Sequence, residues 1–489
     1  MSDVLENEVI DNQINEKREK DDGTVAEAMV QGTVAEAMVP GAVVENKMGV
    51  KPINKLLLEM SVPMMISMII QALYNIVDSI FVAKLSANAL VAVSLAFPIQ
   101  QVMIAMGVGL GVGVNALLSR ALGAKEYDKV NKIAINGIFF SVCNFVIFFL
   151  IGILAVRPFY NLSATDPEIV TFGVEYLTIV CCASFGMCAQ FIFERLLQST
   201  GRTVCTMITQ GTGAIINIIL DPILIFGLAG APKMGIKGAA IATVLGQIVA
   251  AIFAFILNMK LNTEVRISLK GFRPSGKIFK EVYSIGFPSI IMQSIGSVMT
   301  ACLNQILMGF SAAAVAVLGI YFKLQSFVFM PLFGLNNGMV PIIGYNYGAR
   351  IKERVVKTIK VTLGYALAIM STGTLIFWVF PGPLMKLFSA YDEMLDMGVH
   401  ALRIISIHFP IAAFCIIIGS VLQALGKATY SLITSIMRQI VVLLPAAYLL
   451  SLTGNVNNVW WAFPIAEIMS LLASTFFFIK VKKQIIDKI

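Results

Sequence analysis

Three features of the sequence predict an all-α polytopic membrane protein with twelve transmembrane helices in two parallel six-helix repeats. The 489 residues are 58% hydrophobic and only 13% charged, with a mean hydropathy of +0.84, whereas soluble domains contain about 25% charged residues. Twelve apolar runs are long enough to cross a bilayer, which takes about 20 residues. The first six runs match the last six in order, which predicts a pseudo-two-fold axis along the membrane normal.

The twelve apolar runs are numbered α1 to α12 in chain order. They cover residues 61–83, 90–117, 133–156, 171–193, 204–229, 236–259, 283–309, 313–341, 358–381, 397–421, 428–451 and 458–480. The predicted parts of the chain are a disordered acidic cytoplasmic tail with a GTVAEAMV duplication (1–52), an N-terminal six-helix lobe (53–259), a basic cytoplasmic linker (260–282), a C-terminal six-helix lobe (283–480) and a cytoplasmic tail (481–489).

The two sets of six runs are copies of one another. One constant shift along the chain, without gaps, aligns prolines, glutamines and glycines of the first set with the same residue types in the second. The aligned pairs include Pro63 with Pro288, Phe97 with Phe322, Gln100 with Gln325, Gly109 with Gly334, Gly113 with Gly338 and Gly201 with Gly426. Parallel repeats of this kind are typical of transporters, with a binding site at the repeat interface.

The distribution of Lys and Arg predicts the orientation in the membrane. Loops that follow even-numbered runs, together with the C-terminus, contain 22 of these residues, whereas loops that follow odd-numbered runs contain five. We therefore expect a multi-pass protein of the cell (inner) membrane with both termini in the cytoplasm. The net charge of +8 is spread over alternate loops, so nucleic acid is not an expected partner.

Two carboxylates lie at the same depth, 17 residues into apolar runs of the first lobe. Asp78 is 17 residues into α1 and Asp221 is 17 residues into α5, which is roughly 26 Å from the cytoplasmic start of each run. A charge inside the bilayer costs at least about 2.5–3.5 kcal/mol and marks an ion or proton pathway. Other polar side chains at this depth, or on the Asp78 face of α1, are Asn217, Thr243, Gln71 and Tyr74.

These residues predict a cation-coupling site. Carboxylate, amide and hydroxyl oxygens are ligands for a hard cation such as Na⁺, and Asp78, Asn217, Asp221 and Thr243 supply this set. The same acids could share a proton, because two like charges held close do not both ionise readily. The sequence leaves Na⁺ and H⁺ open. No other cofactor is expected, because the seven cysteines lack metal-ligand spacing and there are only two histidines.

The second lobe carries different charges. It has Leu303 at the position equivalent to Asp78 and Ala446 at the position equivalent to Asp221. The ionisable residues near mid-depth of α8, α11 and α12 are Lys323, Arg438 and Glu467. Two interpretations stay open at this point: a structural charge cluster that closes this lobe, or a substrate or proton-relay cluster.

The motifs of the chain resemble those of one transporter family. In the first half they are YNIVDSIFVAKLS, RLLQSTGR, NIILDPILIFG and GIKGAAIAT, and in the second FKLQSFVFMPLFGLNNGMVPIIGYNYGA and LQALGKATYSLITSIMRQIVVLLP. Across residues 51–480 the chain resembles the bacterial branch of the multidrug and toxic compound extrusion (MATE) family. The resemblance implies cation-coupling residues at Gln71, Tyr74, Asp78, Asn217, Asp221 and Thr243. An acidic residue that some branches have in α7 is absent. Gln293, the nearest polar group there, joins Lys323, Arg438 and Glu467 as a candidate substrate or relay residue.

The resemblance implies secondary active multidrug efflux by alternating access. The expected protein is a monomer in the lipid bilayer that exports lipophilic organic cations in exchange for inward Na⁺ or H⁺. One alternative is a flippase for a lipid-linked or other amphiphilic substrate, which Asp78 and Asp221 disfavour and which Lys323 and Arg438 favour. A membrane enzyme is a second alternative, but the sequence contains no nucleophile elbow, His–acid pair or metal cluster.

Overall fold

The computed structural model describes residues 46–268, 272–388 and 392–489, and every regular element in this part of the chain is helical. The predicted disordered tail and its GTVAEAMV duplication lie outside the described residues except for 46–52, and so do residues 269–271 of the basic linker. A short helix, Lys47–Val50, precedes the first long helix.

Twelve spans are found in the described chain when each of two bent helix pairs is counted as one span, as the sequence predicts. The single spans are α1 (Ile53–Leu85), α2 (Ala87–Gly123), α3 (Tyr127–Leu154), α5 (Thr203–Phe226), α6 (Ile236–Leu261), α7 (Gly276–Met308), α8 (Ala312–Gly348), α9 (Lys352–Val379), α11 (Ala428–Ser451) and α12 (Ala462–Gln484). The bent spans are α4 (Pro167–Cys182 with Phe185–Ser199, 44°) and α10 (Met394–Ser406 with Phe409–Ala424, 48°).

The backbone repeats at the spacing that the sequence predicts. α2 and α8 are each 37 residues long, and each begins after a serine whose side chain accepts a hydrogen bond from the backbone N–H three residues later. Backbone conformations with positive φ recur at the same spacing. The pairs with positive φ are Lys125 (φ 60°) with Arg350 (φ 58°) and Gly201 (φ 89°) with Gly426 (φ 74°). The capping serines, Ser86 and Ser311, are related by the same spacing. The two lobes are therefore structural copies, as predicted.

The lobes pack against each other at equivalent glycines of α2 and α8. A Cβ atom on Gly334 of α8 would overlap Met65 of α1, and a Cβ atom on Gly109 of α2 would overlap Ile290 of α7. These two contacts are related by the repeat. The absence of a side chain at each glycine lets α8 approach α1, and α2 approach α7, closely.

A second symmetric pair of glycines lies where α2 and α8 end. A Cβ atom on Gly123 would overlap the carbonyl group of Tyr345, and a Cβ atom on Gly348 would overlap the carbonyl group of Arg120. All these contacts lie in the first halves of α1 and α7 or the second halves of α2 and α8. The lobes are therefore packed together at this end of the bundle, which we call the closed end.

Arginine side chains add polar contacts at the closed end. Arg120 of α2 donates from Nε to the carbonyl oxygen of Ala424, at the end of α10, over 2.8 Å. Arg354 of α9 donates from Nη2 to the carbonyl oxygens of Met48 and Lys51, which precede α1, over 3.0 and 2.7 Å. The Arg120 bond joins the two lobes, so it must break if they separate at this end. The Arg354 bonds join the second lobe to the segment that leads into α1.

Candidate functional site

In the first lobe, α5 and α6 cross closely because both have a glycine at the crossing. A Cβ atom on Gly213 of α5 would lie 3.1 Å from the carbonyl oxygen of Gly246, and one on Gly246 would lie 2.7 Å from that of Gly213. Small residues allow such close approach of helices in membranes. The crossing places Thr243 of α6 beside Asn217 of α5.

Asn217 connects Asp221 with Thr243. Its Nδ2 donates to Asp221 Oδ1 over 3.4 Å and to Thr243 Oγ1 over 3.3 Å. With the amide oxygen and nitrogen exchanged, Asn217 donates to Asp221 Oδ2 over 3.2 Å and accepts from the backbone N–H of Thr243 over 3.1 Å. The exchanged orientation satisfies both ends of the amide, and all three side chains are buried. The polar atoms therefore form one connected group.

Asp78 of α1 completes this group. Its carboxyl is in hydrogen-bonding contact with the carboxyl of Asp221, and its Oδ1 is buried without a donor among the described residues. No Lys or Arg in that part of the chain forms an ion pair with either acid. Two carboxyls in contact require a proton or a cation between them. Chemically, the group can hold one proton or one monovalent cation.

Two tyrosines lie beside the acids. Tyr74, one turn before Asp78 on α1, and Tyr176 of α4 both interact electrostatically with Asp78 and Asp221. The hydroxyl of Tyr176 accepts a hydrogen bond from Gln100 Nε2 of α2 over 3.2 Å. Four of the six predicted cation-coupling residues therefore form one hydrogen-bonded group: Asp78, Asn217, Asp221 and Thr243. Tyr74, the fifth, lies beside this group.

The sixth predicted residue lies farther away, and two neighbours of the acids are absent from the prediction. Gln71 is seven residues before Asp78, about 10 Å along the helix axis, so it does not touch that carboxyl. Tyr176 sits in an apolar stretch without a distinguishing signal. Gln100 has a signal, because it recurs in the second repeat as Gln325.

A third buried carboxyl lies toward the closed end of the first lobe. Glu194 accepts hydrogen bonds from Gln190 over 2.9 Å, Thr209 over 3.2 Å and Gln210 over 2.8 Å. The predicted α4 ends one residue before Glu194, whereas the observed helix continues to Ser199. Arg195, which the prediction places in a cytoplasmic loop, is therefore also buried in the helix. These three donors satisfy the hydrogen-bonding capacity of the Glu194 carboxyl locally, which is the pattern of a structural group.

In the second lobe, two of the four residues predicted as a substrate or relay group pair with each other. Arg438 Nη1 of α11 donates to Glu467 Oε2 of α12 over 3.3 Å. Lys323 is exposed, and its ammonium lies 5.8 Å from the ring centroid of Phe388. Gln293 is exposed on α7. The ion pair is thus separate from the other two side chains, and the role of all four stays a prediction.

The fold and the buried acids together define a class of protein. Two parallel six-helix repeats that meet at a symmetric interface, with ionisable groups inside one lobe, are typical of secondary transporters. A family model described as MatE matches the chain twice, at residues 63–223 and 288–449. The two matches cover more than half of the chain and begin at the aligned prolines Pro63 and Pro288. The chain therefore belongs to the MatE family.

Similar proteins are transporters of the same kind. The chain is 29% identical over 419 residues to the multidrug export protein MepA of Staphylococcus saprophyticus, covering 86% of this chain and 92% of that one. It is 27% identical over 431 residues to MepA of Staphylococcus aureus strain NCTC 8325 / PS 47, covering 86% and 93%. The chain is accordingly a multi-pass membrane transporter and not an enzyme.

Solved structures share the whole fold. A multidrug resistance MATE family transporter of the MOP superfamily in an outward-facing conformation superposes with a TM-score of 0.84 at 26% identity, covering 91% of this chain and 99% of that one. A MOP superfamily transporter from Pyrococcus furiosus, described as having a binding pocket of reverse polarity, gives 0.82 at 25% identity, covering 90% and 98%. The predicted twelve-helix, two-repeat fold is confirmed.

Proposed function

We propose that this protein expels lipophilic organic cations from the cell in exchange for inward Na⁺ or H⁺. The observation that carries the proposal is the contact between the carboxyls of Asp78 and Asp221, which have no Lys or Arg partner in the described chain. Such a pair must take its counter-charge from solution, because an uncompensated buried charge is costly. The Staphylococcus relatives named as multidrug export proteins support the export of several compounds.

Exchange requires that the ion and the substrate favour different states of the protein. An ion bound between Asp78 and Asp221 shifts the conformational equilibrium only by its differential affinity for the two states. Substrate affinity then changes by the same factor, because the coupling free energy is reciprocal. The acids suit this role because of the helices that carry them. Asp78 is on α1, which packs against the second lobe, and Asp221 is on α5, inside the first lobe. An ion between the two carboxyls therefore links these two helices.

The closed end supports alternating access between two such states. The predicted orientation places the starts of α1 and α7 in the cytoplasm, so the glycine contacts and the Arg120 and Arg354 bonds close the cytoplasmic side. The likeness to a transporter in an outward-facing conformation supports this assignment. Inward opening then requires the lobes to separate where the equivalent glycines now pack.

Cysteine labelling tests the predicted membrane orientation, on which closure of the cytoplasmic side depends. Lys233 lies in the loop after α5, and Lys277 lies in the first turn of α7. Both side chains are exposed. We expect Lys233→Cys to react with an impermeant thiol reagent added to intact cells. Lys277→Cys should react only after the membrane is permeabilised. The reverse pattern would place the closed end outside the cell and contradict an outward-facing state.

Reconstituted vesicles test the function. With the purified protein in liposomes, an imposed Na⁺ or H⁺ gradient should drive ethidium uphill, and an ethidium gradient should in turn move the coupling ion. Imposing the Na⁺ and pH gradients separately identifies that ion. Asp221→Asn is the matched control, because it keeps the shape of the side chain and removes its charge. Equal ethidium movement with and without both gradients would exclude ion-coupled export.

Export of a lipid-linked or other amphiphilic substrate is the second candidate function. The exposed ammonium of Lys323 and the partly exposed Arg438 favour it, since both could meet an anionic head group. The two uncompensated acids of the first lobe disfavour it. Movement of a fluorescent anionic lipid between leaflets of the same vesicles, with no response of ethidium to gradients, would favour the flippase function.

A further inference from the structure

The ion pair of the second lobe lies near, but not at, the positions equivalent to the candidate cation site of the first lobe. The shift that relates the two repeats places Glu467 on Ala242, next to the site residue Thr243, and places Arg438 on Gly213. α11 and α12 are thus the copies of α5 and α6, the helices that hold most of that site. The same region of the fold therefore carries uncompensated acids in one lobe and a neutral pair in the other.

The backbone of α11 is irregular at this point. The residues from Met437 to Leu443 form a π-helical segment. Its backbone hydrogen bonds join residues five apart instead of four, and such segments are frequent at functional sites. Arg438 is the second residue of this segment. Its side chain is 27% exposed, whereas that of Glu467 is 3% exposed, so the guanidinium enters the lobe from its more open side.

The Glu467 carboxyl has more binding capacity than the ion pair uses. Its Oε2 accepts a single bond from Arg438, and its Oε1 is buried without a partner in the described chain. The buried hydroxyl of Tyr321, which interacts electrostatically with both charges, also has no partner there. Ser470, one turn after Glu467, is buried too. The carboxylate and two buried hydroxyl groups are of the ligand type that a hard cation prefers.

The Arg438 guanidinium neutralises the charge of the Glu467 carboxylate but does not hydrogen-bond to every oxygen atom near it. The bond of 3.3 Å to Glu467 is longer than the about 2.7–2.9 Å of a strong charge-assisted hydrogen bond. Arg438 therefore supplies a positive charge at the edge of the cluster and leaves two oxygen atoms without partners. A compact cation coordinated by those oxygens would fit the same chemistry.

We propose that Glu467, Tyr321 and Ser470 form a monovalent-cation site and that Arg438 occupies it as a cation tethered to the chain. The second lobe then takes no ion from solution, and ion coupling uses the first lobe alone. Only this last consequence rests on the proposed function. The site itself can be tested by cation binding in the absence of transport.

The test measures thermal unfolding of the full-length protein in detergent. The parent variant carries Asp78→Asn and Asp221→Asn, which remove the two acids of the candidate cation site in the first lobe. Adding Arg438→Gln removes the tethered cation, and adding Arg438→Gln together with Glu467→Gln gives the matched control. Each protein is melted in NaCl, in choline chloride of equal ionic strength, and in choline chloride at mildly acidic pH. The acidic sample tests whether a proton replaces Na⁺. The titratable groups that face Glu467 are His408, Tyr321 and Cys415, and of these only His408 ordinarily titrates near mildly acidic pH.

We expect the Arg438→Gln variant to melt about 3–5 °C higher in NaCl, or at acidic pH, than in choline chloride at neutral pH. The parent and the Glu467→Gln control should show no such difference. A variant that folds only with Na⁺ or acid supports the same conclusion. Equal melting in all three buffers, a response shared with either reference protein, or failure of the Arg438→Gln variant to fold in every buffer would overturn the proposal. Arg438 would then be a structural counter-ion that no free cation replaces.

Discussion

The two lobes have one backbone and two ways of neutralising a buried acid. The first lobe holds Asp78 against Asp221 with no cationic side chain paired to either in the described chain, whereas the second pairs Glu467 with Arg438. The helices, turns and interface glycines repeat at one constant spacing along the chain, but the charged positions do not. Duplication has therefore preserved the surfaces at which the lobes pack and not the chemistry inside them.

The difference is consistent with a division of labour between the lobes. A pair of acids changes its charge state when it binds or releases an ion, so its environment differs between the two states. A buried pair of opposite charges is already neutral, and separating it leaves an uncompensated charge. On this interpretation the first lobe responds to the ion gradient, and the second provides a partner surface of constant charge.

The largest expected effect comes from removing either acid of the first lobe. Asp78→Asn and Asp221→Asn should each reduce gradient-driven ethidium efflux by about 5- to 150-fold, the range of typical coupling energies. The double variant should be no worse, because one shared ion is already lost. Efflux is measured in vesicles, and protein yield in the membrane serves as the control. Wild-type efflux with unchanged ion dependence in Asp78→Asn would remove the contrast between the lobes.

Depth along the helices was enough to predict most of the first-lobe site. Helix rise is fixed at about 1.5 Å per residue, so equal offsets in α1 and α5 place Asp78 and Asp221 at one level. Asn217 follows because it is one turn from Asp221. Repeat matching likewise aligned Gly109 with Gly334, but it gave no indication that these glycines lie between the lobes.

Direction around a helix and the exact helix ends were not predictable in this way. Lys323 has a depth similar to that of Arg438 and Glu467, yet it lies over Phe388 instead of joining their pair. Side-chain direction in α11 also depends on its π-helical segment, for which the sequence has no simple signal. Glu194 was missed because hydropathy falls where polar residues begin, although the helix continues.

A smaller effect is expected at the interface glycines of the closed end, where the two lobes are alike. Gly123→Ala and Gly348→Ala each place a Cβ atom against a backbone carbonyl of the other lobe. Each should destabilise the closed end by about 1–3 kcal/mol, and the two effects should be similar because the contacts are equivalent. Gly364→Ala on α9 is the control, since a Cβ atom there has no neighbour within 4 Å. Melting temperature in detergent gives the ranking, and a Gly348→Ala variant as stable as the wild type would contradict symmetric closure.

The smallest expected effect is at Lys323. Its ammonium is exposed and interacts with the ring of Phe388, an arrangement worth about 0.5–1 kcal/mol at exposed sites. Lys323→Gln should therefore change ethidium efflux by no more than about fivefold and leave its ion dependence intact. Lys323→Arg is the matched variant, because it keeps the charge and the ring contact. If Lys323→Gln abolished ion-driven export as completely as Asp221→Asn does, a cation of the second lobe would take part in coupling. The second lobe would then no longer be the unresponsive partner, and the contrast between the two lobes would fail.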